Sequence, residues 1–277
     1  MMNYWQVNFD KIKEVYGPVF NVLEATLSKY GIDYYLIGAQ SRDVWTNHLN
    51  LNARITRDID YSVFINSHEE WDLLNNYLLS QGLKRDPQQP YRFYLEEFTI
   101  DLLPFGDIEE NGEVILNDPI MEISVYGCRE VVEEAIVIHD KYKVISLPGL
   151  CILKLIAYNE HTGRLKDWND FSLILSNYFN IAGEQLFEGN HLDLLENDIE
   201  LPVASARMLG RQMQTILNKK DELKNRILAI LEQKIKHFSP QEIDQMYQVR
   251  EMDDKQVELL KLILETQRGI NDVLVQS

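Results

Sequence analysis

At Leu147 the hydrophobic pattern of the chain changes period, and this limits the fold more than any other feature. Before it, short runs alternating with a period of two are interleaved with runs of helical spacing. After it, almost every stretch has helical spacing. Strands and helices followed by helices alone predict an α+β protein: a mixed sheet flanked by helices over residues 1–146, then a helical region over 147–277.

Within the first region, residues 8–30 read as a helix with an interruption at Gly17-Pro18. Gly31 closes it, Asp33–Ile37 reads as a strand ended by Gly38, and residues 39–48 resume a helix. Asp58–Ile65 (DIDYSVFI) alternates and is rich in β-branched and aromatic residues, so it predicts a strand. Ser67 followed by Glu70 is the pattern of a capping box, and Gly82 stops the helix it opens. Further strands are expected at 91–96, 98–103 and 120–126. In the second region Pro148 opens a helix to about Glu160, and another runs from about Leu165 to Tyr178. The acidic stretch AGEQLFEGNHLDLLENDIELP reads as helical and solvent-facing.

The net charge of −17, from 27 basic and 44 acidic side chains, repels a phosphate backbone at long range and disfavours broad nucleic-acid binding. A small triphosphate is compatible with it, because a divalent cation or a few placed basic groups reverse the field locally. Cys128 and Cys151 are too few for a disulfide framework or a cysteine metal site and read as small apolar side chains. The stretch MMNYWQVNFDKIKEVYG has no apolar run of signal-peptide length. No segment reaches the ~20 apolar residues that span a bilayer. The expectation is a cytoplasmic protein.

Asp58 and Asp60 are the sharpest chemical signal. Two apart on a strand, they project from one face while Ile59 packs behind. Adjacent carboxylates repel, and a cation between them relieves the repulsion. The plain alternative is a solvated pair at a sheet edge. Asp101 adds a third carboxylate, set in the apolar run FTIDLL, where an ionised side chain needs a partner or solvent. Three oxygen donors of this kind suit Mg²⁺ or Mn²⁺, and two such ions can clamp the attacking and leaving oxygens of an in-line transfer.

Gly38, in IGAQS, stands where a strand turns into a helix, and free N–H groups at such a turn bind anions. Ser41 either bonds a phosphate there or caps its own helix. Lys154 is the one cation in the apolar run LCILKLIA, and Asp167 and Asp170 share a face of the next helix. These residues either tie the two helices together, or Lys154 and Lys166 reach a triphosphate with Asp167 and Asp170 orienting them. His48, His68, His139, His161, His191 and His237 show no metal spacing and are given no role.

The ordered segments IGAQSRDVW, RITRDIDYSVFI, IDLLPFG, SLPGLCILKLIAYNE and RLKDWNDFSLIL, with a looser echo at ASARMLG, resemble the AbiEii/AbiGii-type nucleotidyltransferases. These are bacterial proteins of the DNA polymerase β-like nucleotidyltransferase superfamily, many of them toxins of toxin–antitoxin or phage-defence systems. The resemblance implies an NTP-binding mixed sheet flanked by helices, with the helical domain completing the nucleotide site. It implies Asp58 and Asp60 as metal ligands, with Asp101 completing the site and accepting the acceptor's proton. Lys154, Lys166, Asp167 and Asp170 match the later motifs. Gly38-Ala39 stands where the wider superfamily carries Gly-Gly or Gly-Ser.

The function expected is transfer of a nucleoside monophosphate from an NTP to a hydroxyl of a tRNA, a protein or a small molecule, with a cognate antitoxin as a partner. The alternatives are a nucleotide-binding interaction protein without turnover, and a phosphotransferase that moves the γ-phosphate.

Overall fold

The computed structural model describes residues 9–46, 49, 57–139, 141–160, 164–196, 199–237 and 254–273. Arg54, Ile55, Thr56, His48 and His161 lie outside them. The chain divides into two compact units, Met1–Leu150 and Cys151–Ser277.

The first unit is built on a seven-stranded mixed sheet of order β3-β4-β5-β2-β1-β9-β8. Its strands are β1 (Tyr34–Ile37), β2 (Asp58–Phe64), β3 (Lys84–Arg85), β4 (Arg92–Leu95), β5 (Phe98–Phe105), β8 (Ile136–Ile138) and β9 (Tyr142–Val144). A separate hairpin pairs β6 (Glu113–Leu116) with β7 (Met121–Ser124). β2 runs parallel to β5, and β1 parallel to β9, while the other neighbours are antiparallel. The helices are α1 (Phe9–Tyr30), α2 (Gly38–Thr46), α3 (His68–Ser80) and the short α4 (Cys128–Val132).

α1 is continuous through Pro18, where the sequence predicted a break. A proline inside a helix costs about 3 kcal/mol. Val19, Phe20, Leu23 and Leu27, one to a turn or so, are almost completely buried, and burying such side chains contributes about 1.5–3 kcal/mol each. The Phe20 ring meets Tyr61 on β2 edge-on at 6.4 Å and Tyr142 on β9 at 5.7 Å, so the packed face of α1 outweighs its local defect.

The same alternation divides the sheet. Ile59, Tyr61 and Val63 of β2 and Ile100 and Leu102 of β5 are buried, which turns Asp58, Asp60 and Asp101 to the opposite face. α3 begins as its capping pattern predicts: Ser67 Oγ accepts from the Glu70 N–H at 3.3 Å. The reciprocal bond reaches one residue further back than the standard box, with Glu70 Oε2 accepting from the Asn66 N–H at 2.6 Å.

The second unit consists of the rest of α5 (Leu147–Glu160), then α6 (Leu165–Ala182), α7 (Leu201–Leu217), α8 (Asp221–His237) and α9 (Asp254–Ile270). The acidic stretch between α6 and α7 forms two 3₁₀ segments, Gly183–Phe187 and Gly189–Leu195, rather than an exposed α-helix. Leu186 and Leu194 are buried there, while Glu184, Glu188 and Asp193 are exposed as expected, Asp193 reaching back to the buried Arg211 of α7. α7 and α9 touch at Gly210 and Gly269, where a β-carbon on either would strike the other's backbone. Among the described residues no helix is long and apolar enough to cross a membrane.

Candidate active site

The β4–β5 hairpin turns at Glu96-Glu97, which pairs Leu95 with Phe98 and therefore Arg92 with Asp101. On the other side of β5, Asp101 lies directly across from Asp60, and across β2, Asp60 lies opposite Ile37, one residue before Gly38. Register partners project to the same face of a sheet. Arg92, Asp101 and Asp60 thus form one row across three strands, with Asp58 two residues from Asp60 on the same side.

Gly38 fixes how closely this row approaches the start of α2. Its φ of +67° is in the left-handed region, and a β-carbon there would fall inside the Asp60 carboxylate and 2.9 Å from Asp60 Cβ. Only a glycine satisfies both conditions. The Asp60 carboxylate consequently lies directly on the strand-to-helix turn.

Gln40, which sequence reasoning passed over, helps to hold Asp58. Its Nε2 donates to the Tyr16 hydroxyl oxygen at 2.7 Å and to the Asp58 carbonyl at 3.4 Å. Burial pushes the Tyr16 phenol up, Gln40 pulls against it, and the Asp43 and Asp58 charges add to the rise. That phenol therefore stays neutral beside the carboxylates. Asp58 is exposed, and Asp60 and Asp101 are half-buried. Ser41 is fully buried with its hydroxyl donating to the Gly38 carbonyl at 3.1 Å, so its bond is to its own helix.

Arg92 is the second residue that sequence reasoning missed. Its Nε donates to Asp101 Oδ1 and its Nη2 to Asp101 Oδ2, both at 2.7 Å. This two-pronged pair raises the guanidinium's pKa further, through its hydrogen bonds to Asp101, against the effect of burial. The strands expected at 91–96 and 98–103 place the hairpin but leave one residue between them; only with the turn at Glu96-Glu97 does Arg92 fall opposite Asp101.

Asp58 and Asp60 suit a hard divalent cation: two carboxylates on one strand face, one exposed and one seated on a glycine turn. Asp101, on the same face, accepts one Arg92 N–H on each of its oxygens, which leaves each oxygen a further lone pair. Among the described residues no group of three or more His, Cys, Asp or Glu is disposed to hold a metal ion.

In the second unit, Lys154 Nζ lies 2.8 Å from Asp167 Oδ1 and 2.7 Å from Asp170 Oδ2. Arg164 Nε approaches the second Asp167 oxygen at 3.0 Å. Burial lowers the lysine's pKa, but the Asp170 and Asp167 charges outweigh it and the net shift is upward. The interhelix tie is therefore the role that the geometry displays for Lys154, Asp167 and Asp170, while Lys166 is exposed.

No protein-family model matches the chain, and no curated protein matches it. Among solved structures it is similar to the antibiotic-resistance factor ANT(2'')-Ia, at 11% identity over 64% of this chain and 99% of that one, TM-score 0.35. It is similar to an antigenic nucleotidyltransferase-like protein from Paracoccidioides brasiliensis at 15% identity over 76% and 90%, TM-score 0.36. A CCA-adding enzyme in complex with ATP aligns at 13% identity over 94% and 69%, TM-score 0.29. At these scores the likeness carries no argument about this chain, whose reading rests on its own residues.

Proposed function

We propose that the protein is a nucleotidyltransferase: it moves a nucleoside monophosphate from an NTP to a hydroxyl and releases pyrophosphate. The observation that carries the reading is the seating of Asp60 on Gly38, with Asp58 beside it. This brings two carboxylates and a left-handed glycine turn at a helix start into one place.

Asp58 and Asp60 hold a divalent cation, Mg²⁺ or Mn²⁺. When bound, it supplies neutralisation of the triphosphate charge and of the charge that develops at the α-phosphorus. The first backbone N–H groups of α2, beside the turn on which Asp60 is seated, receive phosphate oxygens. Gln40 and Tyr16 keep β2 and α2 in register, so the two carboxylates stay in place when the nucleotide binds. The acceptor hydroxyl loses its proton to solvent water, its oxygen attacks the α-phosphorus, and the bond from that phosphorus to the bridging oxygen breaks, the electron pair leaving with pyrophosphate.

A second reading, nucleotide binding without turnover, draws on one observation: both Asp101 oxygens are engaged by Arg92. Incubation with NTPs labelled at the α- or γ-phosphate, with cell extract as the source of acceptor, separates the readings. Label carried to an acceptor from the α-position, with pyrophosphate released, supports nucleotidyl transfer. Transfer of γ-label with NDP would mean phosphoryl transfer, and no transfer would leave binding alone. Asp58→Asn should abolish α-label transfer, and retained transfer would sink the assignment.

A further inference from the structure

The register carries the site face past the carboxylates to the edge of the sheet. One row runs Asp60, Asp101, Arg92 over β2, β5 and β4. The next runs Asp58, Thr99, Tyr94, Lys84 and so reaches β3. Register partners share a face, so Arg92 and Lys84 stand on the same side of the sheet as Asp58 and Asp60. Neighbouring strands lie about 4.8 Å apart, which puts the Arg92 backbone roughly 10 Å from that of Asp60. It lies on the flank away from the Gly38 turn.

Two groups on this flank still have donors to offer. A guanidinium carries five N–H groups, and Asp101 accepts one from Nε and one from Nη2. The outer edge, with both N–H groups of Nη1, has no acceptor among the described residues, and 28% of the side chain is exposed. Lys84 is exposed and has no ion-pair partner among the described residues either. Asp86, the acid beside them, is taken up by its own turn. It accepts from the Tyr94 hydroxyl at 2.5 Å and from the N–H groups of Gln88 and Gln89 at 2.7 and 2.9 Å. In a chain of net charge −17, two cations with open donors on the site face are a local exception, and their chemistry suits a phosphate.

In an in-line transfer the attacking oxygen enters opposite the leaving group. With the triphosphate received at the start of α2, the acceptor enters from the flank of β4 and β3. We infer that Arg92 and Lys84 bind a phosphate group of the acceptor, so that the substrate hydroxyl belongs to a phosphorylated molecule. Asp101 fixes the guanidinium and leaves its outer edge for that phosphate. This rests on the nucleotidyl-transfer reading above and adds the acceptor's chemical class to it.

The test titrates glycerol 3-phosphate, a hydroxyl beside a phosphate, into the full chain with Mg²⁺ and follows the protein's ¹H–¹⁵N NMR signals, which also report folding. Glycerol is the uncharged control, and an RNA hexamer with a free 3′-hydroxyl offers the same chemistry at a strand end. Lys84→Gln should weaken phosphate binding about two- to fivefold, and Arg92→Gln about tenfold. Lys29→Gln, on the helix packed against the opposite face of the sheet, should leave it unchanged. Dependence on Lys84 and Arg92 with glycerol 3-phosphate assigns a small phosphorylated acceptor, and dependence confined to the hexamer assigns a strand end. Glycerol binding as tightly as glycerol 3-phosphate overturns the inference. So does indifference of both phosphate probes to Lys84→Gln, whether or not Arg92→Gln folds. In an Asp58→Asn/Asp60→Asn background the dependence should persist, and its loss there would place the phosphate on the metal and overturn the inference. NTP binding by a wild type whose phosphate probes ignore Lys84 leaves the nucleotidyl reading standing and sinks only this one. Failure of every NTP to bind removes the acceptor assignment together with that reading.

Discussion

Gly38 has no side chain because the carboxylate of Asp60, twenty-two positions later in the chain, already occupies the space a β-carbon would fill. The left-handed backbone of Gly38 and this close approach are separable by experiment. Gly31 has nearly the same φ, +66° against +67°, but open space where its β-carbon would go.

Gly31→Ala should cost only the backbone term, about 1–2 kcal/mol. Gly38→Ala should cost that plus an overpacking penalty of about 1–3 kcal/mol. In an Asp60→Ala background most of that excess should disappear. Chemical denaturation of the four variants, with the Gly38/Asp60 cycle completed by Asp60→Ala, reads it. Equal costs at the two glycines would mean that Asp60 does not lean on the turn.

Lys154→Met leaves Asp167 and Asp170 facing each other with their shared cation gone. Breaking a buried pair in this way typically costs about 3–5 kcal/mol, and the loss should appear in helical far-UV signal. The wild-type pair also predicts a pH response. The folded pKa of Lys154 is raised above the ordinary lysine value of 10.5. The pair's contribution is therefore complete below that value and is lost as pH climbs through the folded pKa. On the way up from neutral pH, the stability gap between wild type and Lys154→Met should narrow only in that alkaline range. A gap that closes near neutrality contradicts the arrangement.

Asp272 behaves with the opposite sign. Burial raises its pKa, but hydrogen bonds from Arg207 and Arg211 outweigh it and hold the carboxyl below its ordinary value of 3.8. Its contribution is present above that value and is lost as pH falls through the folded pKa. Acid titration of wild type against Asp272→Asn should show the two converge only below about pH 3.8.

Gly210 and Gly269 allow α7 and α9 to meet backbone to backbone; a β-carbon at 210 would lie 2.9 Å from Gly269 Cα. Gly210→Ala should therefore destabilise the helical unit, despite alanine's better helix propensity of about 1 kcal/mol. A stabilised variant would show that the helices can move apart at no cost.

Much of the first unit was legible in its residues. The alternation of DIDYSVFI gave the strand and the common face of Asp58 and Asp60. Ser67 and Glu70 gave the start of α3, because capping is a local bond and needs no tertiary knowledge. Pro18 misled because a packed face can override a local breaker. The strands β3, β8 and β9, only two or three residues each, are too short to show a period. Arg92 was hidden differently. A cation on a half-buried strand looks like a surface residue until the hairpin register is counted through to Asp101. The acidic stretch before α7 faces solvent with most of its residues, Asp193 among them, as its composition implies, but its turns are 3₁₀ and its Leu186 and Leu194 are buried.

In the function proposed above, Asp58 and Asp60 form a metal-dependent nucleotide site. Thermal unfolding of the wild type and of Asp58→Asn/Asp60→Asn, with each of the four NTPs and with or without Mn²⁺, tests it most directly. A ligand present at 100 times its Kd adds about 2.7 kcal/mol to the native state. The unfolding midpoint of the wild type should shift upward with at least one NTP, dependent on Mn²⁺, and the shift should be absent in the double variant. No shift with any NTP, or a shift of equal size in the double variant, would contradict it.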